Sequence, residues 1–388
     1  MFDVVLFGAT GFTGALTAGY LAANAPAGCR WALAGRDRGK LEALGRRLSK
    51  LDAQLIGLPL LHADITDPGS LRAVAEQARV VITTVGPYVH LGEPLVAACA
   101  ATGTDYVDLT GEPEFVDRMF LRYHAQADET GARIVHACGF DSIPHDLGVY
   151  FTVQQLPEGV PITVDGFVRA AGTISGGTFH SAVTAASRFR DGQETAKARR
   201  RADPRPADRR IRTPLGRVTR YGGMWAVPLP TIDPQIIARS AAALPRYGPD
   251  FTYRHFAAVK HLTTIAAAGA GLGTLAVLAQ IPPTRRWLLD RLKPGEGPTA
   301  ERRAKSWFTV RFDAHGGDRH VTTEVSGGDP GYTETAKMLA ESALCLAFDD
   351  LPPTSGQLTP AAAMGQPLID RLRAKDITFR VKETTPQR

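Results

Sequence analysis

Three glycines near the start of the chain, Gly8, Gly11 and Gly14, constrain its fold more than any other feature. They follow an apolar run over residues 2–7 that is typical of a buried strand, and they open an apolar helical pattern. In this context the first glycine allows a tight turn, the second lets backbone N–H groups approach a ligand, and the third lets helix and strand pack closely. The start of a helix also attracts phosphate groups. The pattern therefore predicts a dinucleotide-binding Rossmann unit, whose contacts with the cofactor we assign to Gly8, Thr10, Gly11, Phe12, Thr13 and Gly14.

Strand and helix patterns continue to alternate as far as residue 140. We predict strands at 2–7, 30–34, 54–63, 80–85, 105–109 and 133–137, with helices at 37–50, 67–77, 93–102 and 114–130. Such alternation is typical of a doubly wound parallel sheet. Residues 1–140 are therefore predicted to form an α/β Rossmann domain.

The rhythm changes after residue 140. Residues 307–314 and 319–326 have the pattern of a hairpin around a Gly-Gly pair, which predicts an α+β substrate domain with an antiparallel sheet over 141–327. A strong helical pattern follows at 333–347. We expect this C-terminal helix, within a segment over 328–388, to return to the Rossmann domain.

The end of the second predicted strand favours NADP(H) over NAD(H). NAD enzymes place an acidic residue there to bind the ribose hydroxyls, whereas this chain has Arg36, whose guanidinium suits a 2′-phosphate. Asp37 is expected to cap the next helix, and Asp64 either contacts the adenine or caps a turn. The fourth strand ends at the sheet edge where ligands bind. We therefore expect Thr84, Gly86 and Pro87, which end this strand, to contact the nicotinamide side of the cofactor.

Composition excludes several classes of protein. Of the 388 residues 44% are hydrophobic and 22% are charged, as in ordinary soluble proteins. The four cysteines have neither C-x-x-C spacing nor a nearby histidine, so we predict reduced thiols and no metal site. Asp3 lies in the first strand with no basic region before it, so we expect a cytoplasmic protein without a signal peptide.

Positive charge is concentrated in one basic segment, residues 188–220. Its 12 lysines and arginines against 4 acidic residues give a net charge of +8, whereas the whole chain carries only +6. The segment is either a solvated mobile loop or a docking surface for an acidic carrier protein, a CoA phosphate or an anionic membrane. No motif for DNA or RNA accompanies it, so we predict no nucleic-acid partner.

Residues 262–281 form a hydrophobic segment without a charged side chain. The segment is rich in alanine, glycine and threonine, and basic residues flank it. Three interpretations remain open. The segment is a buried helix or one that lines an acyl pocket, an interfacial helix that docks on a membrane, or a single membrane span.

These motifs together resemble the saccharopine dehydrogenase-like oxidoreductases, and among them the trans-acting enoyl reductases of actinobacterial lipid and polyketide pathways. The resemblance extends over nearly the whole chain, and the residues that carry it are Gly8–Gly14, Leu33–Arg36, Thr84–Tyr88, Tyr106–Glu112, Gly139–Pro144, Ser175–Thr178, Gly328–Tyr332 and Leu358–Ala362. It implies an NADP(H)-dependent reduction of a C=C bond on a lipid or polyketide acyl intermediate, supplied in trans to a synthase. The expected partners are this acyl substrate, its carrier protein, the inner face of the plasma membrane and a second copy of the chain.

Enoyl reduction needs a proton donor beside the hydride donor. From the side chains expected near the sheet edge we choose Tyr88, Glu112 and Asp141 as catalytic candidates; the others considered are His90, Asp108, Ser142, His145 and His180. Short-chain dehydrogenase chemistry is disfavoured, because none of the nine tyrosines begins a Tyr-x-x-x-Lys motif. Two alternatives to enoyl reduction stay open: a saccharopine-reductase-like C=N oxidoreductase and a non-catalytic NADP-binding protein associated with lipid or membrane.

Overall fold

The structure is a computed structural model that describes residues 1–172, 176–261, 271, 278–291 and 297–386. Two sheets organise the described residues. A parallel sheet near the N-terminus has the strand order β14-β6-β5-β4-β1-β2-β3, and a second, mixed sheet has the order β15-β13-β12-β7-β11-β10-β9, with β8 paired to β11.

The seven-stranded sheet is parallel throughout. Its strands are β1 (Phe2–Phe7), β2 (Trp31–Gly35), β3 (Leu60–His62), β4 (Ala78–Thr83), β5 (Asp105–Val107), β6 (Arg133–Val135) and β14 (Gly356–Leu358). The helices along this part of the chain are α1 (Phe12–Asn24), α2 (Arg38–Leu48), α3 (Pro68–Ala75), α4 (Tyr88–Leu91), α5 (Glu93–Thr102) and α6 (Pro113–Thr130). The predicted doubly wound Rossmann sheet is confirmed, with its strand order reversing next to β1.

The second sheet contains long central strands and short edge strands. They are β7 (Ile162–Ala171), β8 (Arg210–Arg212), β9 (Thr219–Tyr221), β10 (Met224–Pro228), β11 (Asp250–Val259), β12 (Trp307–Gly316), β13 (Arg319–Gly327) and β15 (Thr378–Pro386). The predicted hairpin is present as β12 and β13, but β11 pairs in parallel with both β7 and β8. Parallel pairing is available here because helices separate β7 from β11 in the sequence and carry the chain back in the same direction.

The remaining helices follow β6 in the chain. They are α7 (Ile143–Val153), α8 (Gly176–Ser187), α9 (Phe189–Ala202), α10 (Asp233–Ala243), α11 (Pro282–Arg291), α12 (Ala300–Ala304), α13 (Thr333–Phe348), α14 (Pro360–Ala363) and α15 (Gly365–Arg373). Helix α7 is buried on almost every side, because it packs on β12 and β13 of the second sheet and on helices α10, α14 and α15.

Helix α13 returns to the Rossmann sheet, as predicted. The Tyr20 hydroxyl of α1 donates to Glu341 Oε1 of α13 at 2.7 Å, and Arg133 Nη2 at the start of β6 donates to the Leu346 carbonyl at 3.0 Å. Strand β14 also joins the first sheet, whereas β15 continues to the far edge of the second. The C-terminal segment therefore contributes one strand to each sheet.

Two local predictions differ from the structure. The strand predicted at 54–63 is reduced to Leu60–His62, with a short 3₁₀ helix at Ala53–Leu55, because Gly57 and Pro59 interrupt the extended run. The basic segment is not a single loop, because its first half forms helix α9.

The hydrophobic segment at 262–281 lies mostly outside the described residues. Across the ranges that are described, no helix combines the length and apolar character needed to cross a bilayer.

Candidate functional site

The glycine turn after β1 has the backbone geometry that its sequence predicts. Gly8 has a φ of +82°, and its amide donates to the Ala34 carbonyl at 3.1 Å. A Cβ on Gly14 would lie 2.2 Å from the Gly8 carbonyl oxygen, so helix and strand approach each other too closely for any larger residue. The turn is therefore fixed by glycine at both ends.

Helix α1 begins at this turn with unsatisfied donors. Gly11 is its N-cap and supplies no side-chain oxygen, and the amides of Phe12, Thr13 and Gly14 find no acceptor in the described chain. These N–H groups and the positive end of the helix dipole fit the phosphates of a dinucleotide.

Thr84 supports the turn from the neighbouring strand. Its Oγ1 donates to the Gly8 carbonyl at 3.1 Å, and its amide donates to the Phe7 carbonyl at 3.2 Å. Gly86 and Pro87 follow, joined by a cis peptide bond, and Gly86 is exposed at the same sheet edge. The residues assigned to the nicotinamide side thus lie beside the glycine turn.

Arg36 is the basic residue free to bind a ligand at the end of β2. Arg38 is paired with Glu42 at 3.0 Å, and Lys40 lies 3.6 Å from Asp37, which also caps α2. Arg36 is exposed and has no ion pair in the described chain. Its guanidinium is therefore available for a 2′-phosphate.

Asp64 lies close to Arg36, just beyond β3. Its Oδ1 accepts hydrogen bonds from the Thr66 amide at 2.9 Å and the Thr66 hydroxyl at 2.8 Å. These bonds, with the Arg36 charge nearby, hold the pKa of Asp64 below its usual range. The turn-capping role is visible, and contact with the adenine stays a prediction.

Tyr88 points into the protein and not towards the open sheet edge. The side chain is buried, its hydroxyl donates to the Thr83 carbonyl at 3.1 Å, and the Leu109 amide donates to it at 3.2 Å. Burial raises the pKa of the phenol well above its ordinary value. The hydroxyl therefore joins β4 to Leu109, beyond β5, and a role for Tyr88 as proton donor stays a prediction.

Glu112 is also committed to the backbone. Its carboxylate accepts from the amides of Tyr88 at 3.1 Å and Val89 at 2.6 Å, and from the Ser181 hydroxyl at 2.7 Å. It thus satisfies the first turn of α4 and links that turn to α8. In the structure Glu112 is a structural anchor, and a role as proton donor stays a prediction.

Asp108 serves the packing of two strands. Its Oδ1 accepts from the amides of Thr110 and Ala137, both at 3.0 Å, and its Oδ2 accepts from the Tyr106 hydroxyl at 2.9 Å. The imidazole of His136 lies 2.6 Å from the same oxygen through Nδ1. Both oxygens of the carboxylate are therefore used in contacts within the protein.

Asp141 differs from these acids because its carboxylate makes no hydrogen bond within the described residues. It follows β6 at the edge of the Rossmann sheet, is half-buried, and is packed against Gly111, where an added Cβ would lie 2.9 Å from Asp141 Oδ2. Burial and the negative charge of Asp233 raise its pKa to about 6, against the opposing charge of His145. It is the predicted acid that can carry a proton near neutral pH.

Asp233, at the start of α10, lies between two buried imidazoles behind Asp141. Its Oδ1 is 3.0 Å from His145 Nδ1, and its Oδ2 is 3.5 Å from His255 Nε2. The Ser142 hydroxyl donates to Asp233 at 3.4 Å, and the Thr231 hydroxyl donates to it as well.

The pKa values of the two histidines in this cluster shift in opposite directions. Burial disfavours the imidazolium of His145, but the Asp233 carboxylate outweighs it and raises the pKa of His145. Burial lowers the pKa of His255 to about 4, and its Nδ1 lies 2.7 Å from the Tyr253 hydroxyl. The three ligand atoms lie within 4.8 Å of one another, close enough to hold a metal ion. The charges of Asp233 and His145 also act on Asp141.

Comparison with known proteins bears on this geometry. A family model described as the saccharopine dehydrogenase NADP binding domain matches residues 4–135. A trans-acting enoyl reductase of Mycobacterium ulcerans is 37% identical over 413 residues, which cover 96% of this chain and 95% of the relative. A Mycobacterium tuberculosis protein that carries the same name provisionally is 39% identical over 412 residues, with 97% of each chain covered.

The chain belongs to the trans-acting enoyl reductase family.

Among solved structures, apo saccharopine dehydrogenase (L-Glu forming) from Saccharomyces cerevisiae superposes with a TM-score of 0.55, covering 98% of this chain and 99% of that one. At 13% identity this likeness concerns the fold. This protein is an NADP-dependent oxidoreductase, and its N-terminal sheet belongs to the NADP-binding domain. The glycine turn, the free amides of α1 and the exposed Arg36 fit that cofactor.

Sequence reasoning missed Asp233 and His255. Asp233 precedes a proline at the start of a helix, which suggests only a helix terminus, and it is far from both histidines in the sequence. Of the remaining candidates, His90 is exposed, whereas His180 is buried on α8. The cluster forms only when the segments that carry His145 and Asp233 meet in the folded protein.

The position of Tyr88 yields a first prediction. Tyr88→Phe is expected to lower the free energy of unfolding by about 1–3 kcal/mol, because the Leu109 amide loses a buried acceptor. The kcat/KM per folded enzyme should stay close to that of the unmodified protein. Urea denaturation and steady-state kinetics on one preparation test both parts. A fall in kcat of about 100-fold or more would show that Tyr88 is the proton donor.

Proposed function

We propose that this protein uses NADPH to reduce the C=C bond of an α,β-unsaturated acyl thioester made by a lipid or polyketide synthase. The observation that carries the proposal is the 37–39% identity to trans-acting enoyl reductases along nearly the whole chain, through both sheets. Similarity confined to residues 4–135 would have supported a cofactor and no particular reaction.

The reaction adds one hydride and one proton across the double bond. When bound, NADPH supplies the hydride that goes to the β-carbon. The α-carbon then needs a proton from a group that still holds one at neutral pH. Asp141 fits this role, because it lies at the sheet edge where α/β proteins bind ligands and its pKa is raised to about 6. The ion pair of His145 and Asp233 is the positioning element behind it.

The acyl substrate is proposed to arrive on an acidic carrier protein that docks on the basic segment. Several of its arginines are engaged inside the protein: Arg188 with Glu114 at 2.7 Å, and Arg199 with Asp203 at 2.8 Å. Others are exposed and have no ion pair in the described chain, and they are Arg190, Lys197, Arg200, Arg201, Arg205, Arg210, Arg217 and Arg220. The exposed set supplies the positive surface that an acidic partner needs.

NADPH oxidation with three kinds of substrate tests the function. We expect turnover with an enoyl thioester on a carrier protein and on CoA, with one saturated product per NADPH, and none with an amino acid paired with an oxo-acid. Turnover of that pair alone would establish the C=N alternative, and NADPH binding without any turnover would establish the non-catalytic alternative.

The same assay tests the docking surface. We expect kcat/KM for the carrier-bound substrate to fall steeply with added salt, because exposed charges are screened. The value for a short thioester without carrier or phosphate should change little. Equal salt dependence for both would remove the basic segment from substrate recognition, and salt-dependent binding to anionic vesicles without an effect on the carrier substrate would assign it to membranes.

A further inference from the structure

A segment of the second domain lies directly against the start of helix α1. Gly297 packs on the ring of Phe12, the first residue of that helix, so closely that a Cβ on Gly297 would lie 2.3 Å from Phe12 Cε1. Tyr332 also contacts the ring and meets it edge-on, with 4.9 Å between ring centroids. The chain before β12 therefore lies against the first residue of the helix that follows the glycine turn.

Arg303, on helix α12, extends this contact with a positive charge. Its guanidinium carbon lies 5.5 Å from the centroid of the Phe12 ring, within the range of a cation–π interaction. Its Nε donates to Thr333 Oγ1 at 3.2 Å, and its Nη1 donates to the Pro298 carbonyl at 2.7 Å. Two hydrogen bonds and an aromatic ring thus hold the planar group in one orientation.

The remaining nitrogen of Arg303 is left for a ligand. Nη2 makes no hydrogen bond within the described residues, and no carboxylate of that part of the chain lies within 4.0 Å of the guanidinium. The side chain is half-buried, so its charge is less screened than that of the exposed neighbour Arg302. A fixed, unpaired guanidinium beside free helix amides is suited to a phosphate oxygen.

We propose that Arg303 binds the pyrophosphate of NADP(H), so that the second domain completes the phosphate site of the Rossmann domain. The amides of Phe12, Thr13 and Gly14 contact the pyrophosphate from one side, and Arg303 contacts it from above the Phe12 ring. Cofactor binding would then also hold the two domains together over the reaction site. The inference rests on NADP binding and not on the identity of the acyl substrate.

Titration of NADPH fluorescence, without acyl substrate, tests this assignment. The variant is Arg303→Met, which keeps an apolar stem over Phe12 and removes the charge, and the matched control is Arg302→Met on the same helix. We expect Kd for NADPH to rise roughly 10- to 100-fold in the first variant, as for a lost hydrogen bond to a charged group, and to stay unchanged in the control. The melting temperature of the cofactor-free proteins should be the same.

Further ligands identify which phosphate Arg303 binds. Kd for NADH should rise by the same factor as that for NADPH, because both carry the pyrophosphate. A rise for NADPH alone would place Arg303 on the 2′-phosphate and overturn the proposal. An unchanged Kd for both, with a raised KM for CoA thioesters, would assign Arg303 to a phosphate of the substrate and would also overturn it. Failure of enoyl reduction would leave these binding results unaffected.

Discussion

Replacing Arg36 by alanine is expected to remove the preference for NADPH over NADH. The guanidinium is exposed beyond β2 and has no ion pair in the described chain, so its loss should affect the 2′-phosphate and little else. We expect kcat/KM for NADPH to fall roughly 10- to 100-fold, as for a charge-assisted hydrogen bond, with that for NADH nearly unchanged.

Arg38→Ala is the matched control for this experiment. Arg38 is close in sequence and exposed, but its guanidinium is paired with Glu42. Its loss should leave the ratio of the two cofactors unchanged. If Arg36→Ala weakened NADPH and NADH equally, Arg36 would be a general contributor to binding and the 2′-phosphate would be recognised elsewhere.

Replacing Asp141 by asparagine is expected to have the largest effect on catalysis. A positioned acid contributes about 10²- to 10⁴-fold to a proton transfer, and an amide of the same shape cannot supply the proton. Because the pKa of Asp141 is about 6 and the reaction needs the protonated form, kcat of the unmodified enzyme should fall as pH rises through 6. The residual activity of the variant should lack this dependence.

The same substitution should stabilise the protein. The folded-state pKa of Asp141 is raised from 3.8 to about 6, so stability falls as pH rises from about 4 to 6 and does not return above that window. Asp141→Asn should therefore raise the free energy of unfolding at pH 7 by about 1–3 kcal/mol, and should have no such effect at pH 3. Lost activity with gained stability is typical of a residue kept for chemistry.

Asp146→Asn is a matched control for Asp141→Asn. Its carboxyl pKa is also raised to about 6, mainly by burial. Its oxygens, however, accept hydrogen bonds from the Ser240 hydroxyl at 2.5 Å and the Ala361 amide at 2.8 Å. This variant should lose stability and keep its kcat per folded enzyme. If both variants lost kcat equally, a general disturbance of the domain crossing would explain the effect and Asp141 would not be the proton donor.

The candidate site divides into a part that local sequence predicts and a part that it does not. The glycine turn and Arg36 depend on neighbours within a few residues, because a strand, a tight turn and a helix start determine one another. Tyr88 and Glu112 show what such reasoning leaves out. Both follow strand ends, as a catalytic residue would, and in the structure their polar atoms bond to the backbone of α4 and to Leu109, beyond β5.

The glycines near the start of the sequence by themselves determined a dinucleotide-binding sheet, and Arg36 favoured NADP(H) as its ligand. Both follow from the periodicity and steric limits of a short stretch of chain. Only the tertiary structure placed Asp233 between His145 and His255, left the carboxylate of Asp141 without a hydrogen-bond partner among the described residues, and set Arg303 over Phe12. The physical reason is that burial, charge and hydrogen bonding at these side chains come from segments far apart in the sequence, which meet only in the folded chain.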